Sequence, residues 1–523
     1  MRNKAMMAGV IALLMTAGAR TACSGPASDP TGTTAPAAGG DLIIGRDGEG
    51  TTLDSTNTNF ENYSIAIFQQ IGESLYATTK DGQTLEPLLA AEMPEISADE
   101  LTYTVKLRDD VTFSDGTPMT ADDVKFSIDA DTAGAGEGGW GFINSAIDTV
   151  TVVDEHTVEF HLKHPWAPFV ADLSIFSNAI VPANYGGKSK DEFYEAPIGT
   201  GPFMFKEWVR GDHATVVKNP NYWQDGKPSL DSITWRVMPD SNTRKLALKS
   251  GQIHAEQITD WSSWQEMSST PGLTATAFPS TEIDYISMNV DRPPLNDPHV
   301  RVAIAHAIDR EAIIEAVLFG NGEQANSVIP KGVPFHNPDN EGPTFDLEKA
   351  KAEMAASSVP EGFSTTMLIN SGDATHAAIA QILQDELKPL GIALKIDQQE
   401  ATARKEREFA TDYDMTIALW TMDIPDPDEW TTAALDPNGG LKSSYTNYDN
   451  PAIVELNSQA QSTNDTAARK ELYDRIQAEV PADSSLALLY YVPFGWVHSD
   501  AMQGFSVTPL GYVGLKDVTL AAQ

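Results

Sequence analysis

Leu101, Tyr103, Val105 and Leu107 alternate with Thr102, Thr104 and Lys106, a period of two that predicts a β-strand with one buried face. A turn at Asp115-Gly116 follows. Thr120 with Ala121, Asp122 and Asp123 then predicts a helix start, with a capping hydroxyl and acids in the first turn, where the helix dipole favours negative charge. Val150 and Val152, then Val158, Phe160 and Leu162, alternate around Asp154-Glu155-His156 and predict a hairpin over residues 145–163. The second half of the chain has a different rhythm. Residues 365–370 read as a strand, 375–390 as a helix closed by Gly391, and Ile392, Leu394 and Ile396 as the next strand. Such a succession predicts a right-handed βαβ unit with parallel strands. A helix over 401–410 leads into a further strand over 415–419, and a short strand at 41–44 starts the folded part. The pattern is that of an α/β protein with a crossover sheet.

A length of 523 residues exceeds what one core holds and implies two or three domains. Residues 1–22 read as a secretory signal, with Arg2 and Lys4 ahead of a mostly apolar run over 5–19 that is short for a membrane span. The single cysteine, Cys23, follows directly, so no intramolecular disulfide forms, and its position is that of a lipid attachment site. Arg20 stands where such sites carry Leu, and cleavage after Ala17-Gly18-Ala19 competes; either route exports the chain. Residues 24–40 are small and rich in Pro, Gly and Thr, the composition of a tether. The net charge of −39 becomes more negative once Arg2, Lys4 and Arg20 are removed, which excludes nucleic-acid partners. No later segment is apolar enough to span a membrane.

Five segments in order carry a resemblance: Asp81-Gly82 with Glu86-Pro87-Leu88-Leu89-Ala90; residues 101–129; Gly199-Thr200-Gly201-Pro202-Phe203; Lys218-Asn219-Pro220-Asn221-Tyr222-Trp223; and Asp297-Pro298-His299-Val300-Arg301 with Ala307-Ile308-Asp309-Arg310. Together they resemble the family 5, peptide/nickel-type, extracellular solute-binding proteins of bacterial ABC importers. The resemblance implies a two-lobed periplasmic-binding-protein type II fold with an extra inserted domain and a ligand cleft between the lobes. It places lobe I at 41–75, 196–283 and 490–523, the inserted domain at 76–195 and lobe II at 284–489, with residues 282–290 and 486–492 as the hinge crossings. It further implies a monomeric receptor that delivers an oligopeptide to the permease subunits of an importer. An oligosaccharide or a chelated metal is the alternative solute, and an extracellular hydrolase the remote one.

Residues 419–428 follow the end of a predicted parallel strand, where open α/β sheets bind ligands. In peptide-binding members of the resembled family a Trp-x-x-Asp here pairs its carboxylate with the ligand α-amine; Trp420 and Asp423 match it. The same resemblance makes Phe60, Glu61, Asn62 and Tyr63 candidate walls of the cleft. Dipeptide receptors of the family hold the ligand carboxylate with an Arg, but residues 352–387 contain no Arg or Lys and only His376 as a possible cation, which favours longer peptides or another solute. Trp223 and Trp235 fall in motifs of packing type, while Trp261, Trp264 and Trp496 are candidates to reach the cleft. Pro425 and Pro427 interrupt any calcium loop among the nearby acids. His161 and His164 have an odd spacing that points strand side chains to opposite faces, so no metal site is read there. There is no Gly-x-Ser-x-Gly elbow, no His-Glu-x-x-His and no Gly-x-x-x-x-Gly-Lys-Ser/Thr loop, so no enzyme, cofactor or metal site is expected.

Overall fold

The computed structural model describes residues 39–57, 60–134, 139–439, 445–483 and 485–521. The secretory segment and Cys23 lie outside them, as does all but the end of the tether. Three sheets organise the described residues. The first has seven strands in the order Leu273–Phe278, Phe494–Ser499, Ala255–Gln257, Asp41–Arg46, Ser232–Val237, His213–Lys218 and Phe203–Val209. Its centre is parallel, because Asp41–Arg46 pairs in the same direction with Ser232–Val237 and Ala255–Gln257.

The second sheet has six strands: Glu323–Gln324, Leu486–Tyr491, Ile283–Met288, Met415–Trp420, Ser364–Asn370 and Ala393–Gln399. The predicted βαβ unit is here. Ser364–Asn370 and Ala393–Gln399 are parallel, and Ala374–Glu386 with the short turn Lys388–Leu390 forms the crossover. Gly391 ends that crossover at φ +73°, a left-handed conformation that a Cβ would strain. Met415–Trp420 adds a third parallel strand, and Ile283–Met288 runs against it.

The third sheet pairs Glu95–Ile96, Thr102–Lys106, Thr157–Leu162 and Ile147–Asp154, all antiparallel. Tyr103 and Val105 face its core, as the alternation predicts. The helix Ala121–Gly134 covers the sheet, but its start differs from the expected hydroxyl cap. The Thr120 N–H and hydroxyl both donate to Asp123 Oδ2, at 2.8 and 2.9 Å, so the acid does the capping.

The chain passes between the first and second sheets twice. Leu273–Phe278 leads into Ile283–Met288, and Leu486–Tyr491 leads into Phe494–Ser499; within each sheet the two strands are antiparallel neighbours. The crossings are tied together, since the Ser280 hydroxyl donates to the Val492 carbonyl and the Thr281 N–H donates to the Pro509 carbonyl at 2.9 Å. Arg310 secures the second sheet to its helices. Buried and 1% exposed, it donates to the carbonyls of Leu488, Ala305 and Ile308, satisfying the end of the helix Pro298–Ala307. Trp235 is buried in the first sheet's core, and the Trp223 indole N–H donates to Glu73 at 2.9 Å. Both are packing residues.

Candidate functional site

Between the first and second sheets lies a cavity of about 740 Å³, within the range of roughly 300–1,000 Å³ common for small-molecule sites. Carboxyl ends of parallel strands wall it on both sides. Asp41–Arg46 runs out into Asp47, and Ala255–Gln257 into Ile258 and Thr259. Opposite them, Ser364–Asn370 runs out to Asp373, and Met415–Trp420 to Thr421 and Asp423. At such ends the chain turns away towards helices and leaves a crevice. Glu282, Val492 and Pro493 also line the space, so its floor is made by the chain crossings.

Asp423, Asn62 and Tyr63 all line this cavity. Asp423 is half-buried; its N–H and that of Ile424 donate to Glu429 Oε2 at 2.9 and 3.0 Å, which fixes the loop. Trp420 stands behind the loop, stacked on Trp430 with ring centroids 4.8 Å apart, and Trp430 packs on Tyr285 at 5.3 Å. It braces the Asp423 loop from the core side and is not part of the cavity lining. Tyr63 donates to Asp47 Oδ1 at 2.6 Å, and Arg46 donates to the Tyr63 carbonyl at 2.8 Å.

Glu61 caps the helix Asn62–Phe68, its carboxylate accepting from the N–H groups of Tyr63 and Ser64 and from the Ser64 hydroxyl. Phe60 is 2% exposed and packs against Phe68 and Phe176, so it is core and does not line the cavity. A helix that begins at Asn62 turns Asn62 and Tyr63 towards the cavity and leaves Glu61 for its N-terminal N–H groups. Trp261 and Trp496 line the cavity; Trp264 does not and packs on Trp261 at 5.1 Å.

The lining is strongly acidic. Asp47, Asp260, Glu282, Asp284, Asp373 and Asp423 face Arg46 and His376. Burial pushes the Asp423 and Glu282 carboxyls up to about 7. It lifts Asp284 and Glu429 well above the usual carboxylate range, with the charges of Glu282 and Asp423, respectively, adding to the effect. Burial also lowers His376 despite Asp373 3.1 Å away. Nothing in the sequence alone marks Arg46, Asp47, Asp260 or Asp373 as lining residues. The signal for Glu282 and Asp284 was present: two acids two residues apart in an otherwise apolar strand share one face. Among the described residues no group of three or more His, Cys, Asp and Glu side chains is placed to hold a metal ion, and no helix is long and apolar enough to cross a membrane.

A sequence model of the bacterial extracellular solute-binding proteins, family 5 Middle, matches residues 84–442. The "Glutathione-binding protein GsiB" of Escherichia coli (strain K12) is 28% identical over 488 residues, covering 92% of this chain and 94% of that protein. The periplasmic binding protein DppA of Helicobacter pylori, solved with the peptide STSA, superposes with a TM-score of 0.83 at 26% identity, covering 92% of this chain and 98% of that one. AgaA of A. tumefaciens R10, solved with agropinic acid, superposes with a TM-score of 0.82 at 28% identity, covering 92% and 99%.

The raised carboxyls have a consequence for the ligand-free protein. Between about pH 4, where unfolded carboxyls titrate, and about pH 7, the folded state holds protons that the unfolded state has lost, so stability falls as pH rises. Asp423→Asn removes one contributor. In urea unfolding the ligand-free variant should match wild type near pH 4, where the unfolded carboxyl begins to titrate, and exceed it by roughly 1–2 kcal/mol near pH 8, a figure discounted for the partial exposure of Asp423. Parallel stability curves for the two proteins would show that Asp423 is not destabilised by its surroundings.

Proposed function

We propose that this chain, which belongs to the family 5 bacterial extracellular solute-binding proteins and so to the receptors of ABC importers, captures oligopeptides by their free amine and presents them to its permease. The observation that carries the reading is Asp423. It lines a cavity between two sheets, sits at the end of a parallel strand and is held by backbone hydrogen bonds to Glu429. Among the described residues no hydrogen bond or ion pair engages its carboxylate. An ammonium group there completes a charge-assisted hydrogen bond in a place water reaches poorly. Extended backbone of a peptide then lies across the cavity, with Trp261 and Trp496 as apolar wall.

In this reading the first sheet marks lobe I, from residues 41–75, 196–283 and 490–523. The second sheet marks lobe II, residues 284–489, and the third the inserted domain, residues 76–195. Sheet membership supports the division, and the two tied crossings serve as the hinge. Closure follows because a ligand touching both lobes binds the closed form better, and the closed form is what the permease engages. Solutes differ among the similar proteins, one of which is named for glutathione and another solved with agropinic acid. Glutathione carries two carboxylates, which would meet an acidic lining here; a peptide of neutral or positive charge fits better. Export and attachment to the outer face of a membrane through Cys23 belong to the same reading.

Calorimetry with a free-amine peptide and its N-acetylated form, on wild type and Asp423→Asn, tests the amine contact. Losing the charge opposite a buried amine costs about 2–5 kcal/mol, so the variant should bind the free-amine peptide roughly 30-fold or more weaker. The acetylated peptide should bind wild type weakly and lose little further. Equal binding of the free-amine peptide by both proteins would make Asp423 structural. For the anchor, intact mass of the cell-bound protein should show a diacylglyceryl group on Cys23; a released form beginning at Arg20 would reject it.

A further inference from the structure

We propose that the cleft takes a solute bearing two cationic amines, the second of them met by Glu282 and Asp284 on and beside the strand Ile283–Met288. This extends the assignment of the first amine to Asp423 and rests on it. The six carboxylates of the lining fall into two classes. Four accept hydrogen bonds within the protein: Asp47 from Tyr63 and Thr259 at 2.6 and 3.0 Å, Asp260 from the N–H and hydroxyl of Ser262 at 3.1 and 2.5 Å, Asp373 from the His376 N–H at 2.9 Å, and Asp284 on one oxygen only. Asp423 and Glu282 accept none among the described residues.

Asp284 is the more telling. It is 5% exposed yet lines the cavity, opposite Tyr490 across the strand pair. The Tyr490 hydroxyl serves one of its oxygens, and Oδ2 has no hydrogen-bond partner among the described residues. A carboxylate oxygen buried to this degree without a partner costs free energy that an apolar side chain at the same position would not. Glu282, two residues earlier on the same face, has no hydrogen bond or ion pair to its carboxylate among the described residues and raises the cost for Asp284.

No charged group of the protein relieves the pair. The groups facing it from the packed elements are Tyr490, Asp373 with its close neighbour His376, Asp423 with Glu429, and, from the first sheet, Arg46 and Asp47. Arg46 is committed elsewhere, donating to the Tyr63 carbonyl at 2.8 Å and lying over the rings of Tyr63 and Trp235. The counter-charge is therefore supplied by the solute. Because burial raises Glu282 and Asp284 towards their protonated forms, a docking ammonium, which favours the charged forms, displaces protons from them into solvent. Two sources share this chemistry, a peptide with a lysine side chain and a free diamine.

The test is calorimetry on the full chain with free-amine tripeptides carrying lysine or norleucine at the first, second or third position, and with 1,5-diaminopentane, in buffers of different ionisation enthalpy. At one position at least, lysine should bind wild type about tenfold or more tighter than norleucine and release more protons. The double variant Glu282→Gln, Asp284→Asn should erase that difference, with its norleucine binding reporting that it is folded. Norleucine peptides binding as tightly as lysine peptides at every position would overturn the second amine while leaving the Asp423 reading intact. Binding of the diamine without any peptide would uphold two amines and overturn the peptide. Failure of all these probes to bind would overturn both.

Discussion

Carboxyl groups placed without a counter-ion in a crevice between two sheets are the constraint around which this molecule is arranged. Burying an ionised carboxylate without a counter-ion is unfavourable by several kcal/mol even after relaxation, and Asp284 and Glu429 are both nearly inaccessible. The surrounding structure makes this tolerable in specific ways. Glu429 accepts two backbone N–H groups from the loop it stabilises, Tyr490 serves one oxygen of Asp284, and burial shifts the carboxyls towards their neutral forms. What remains unsatisfied is the part of the site that the proposed cationic solute would complete. On that reading, stability forgone in the empty protein would be recovered as affinity in the filled one.

In the proposed closure, the chain crossings would turn that local electrostatics into a conformational signal. Ile283–Met288 contributes Asp284 to the cavity and begins where the chain leaves the first sheet; Leu486–Tyr491 contributes Tyr490 and ends where the chain returns. A solute that neutralises these groups therefore acts on the two segments about which the sheets would move. Apolar contact also links the two sheets. Trp261 and Ile258, beside the first sheet, belong to the same buried cluster as Ile304 and Leu383, which cover the second. Ile424, next to Asp423, packs in the cluster that holds Phe60 and Phe176.

Much of the fold was legible in the sequence because hydrophobic periodicity survives wherever one face of an element is buried. The strands around Tyr103 and Val158, the crossover helix ending at Gly391 and the parallel strand before Asp423 all follow from it. The family resemblance makes Glu61 and Phe60 candidate walls of the cleft. The structure instead engages them locally, as a helix cap and a core aromatic, which only the helix start at Asn62 determines. The first-sheet lining around Arg46 and Asp260 was not legible, since it is assembled from strand ends more than 200 residues apart. Topology, which periodicity does not encode, brings them together.

The central claim is that the cleft selects a cationic amine over an anionic solute. Mass spectrometry of the small molecules released on denaturing the protein purified from its native cells tests it most directly. A co-purified peptide or other solute with a free amine and a neutral or positive net charge is the predicted result. A bound solute that is anionic or lacks an amine would contradict the account.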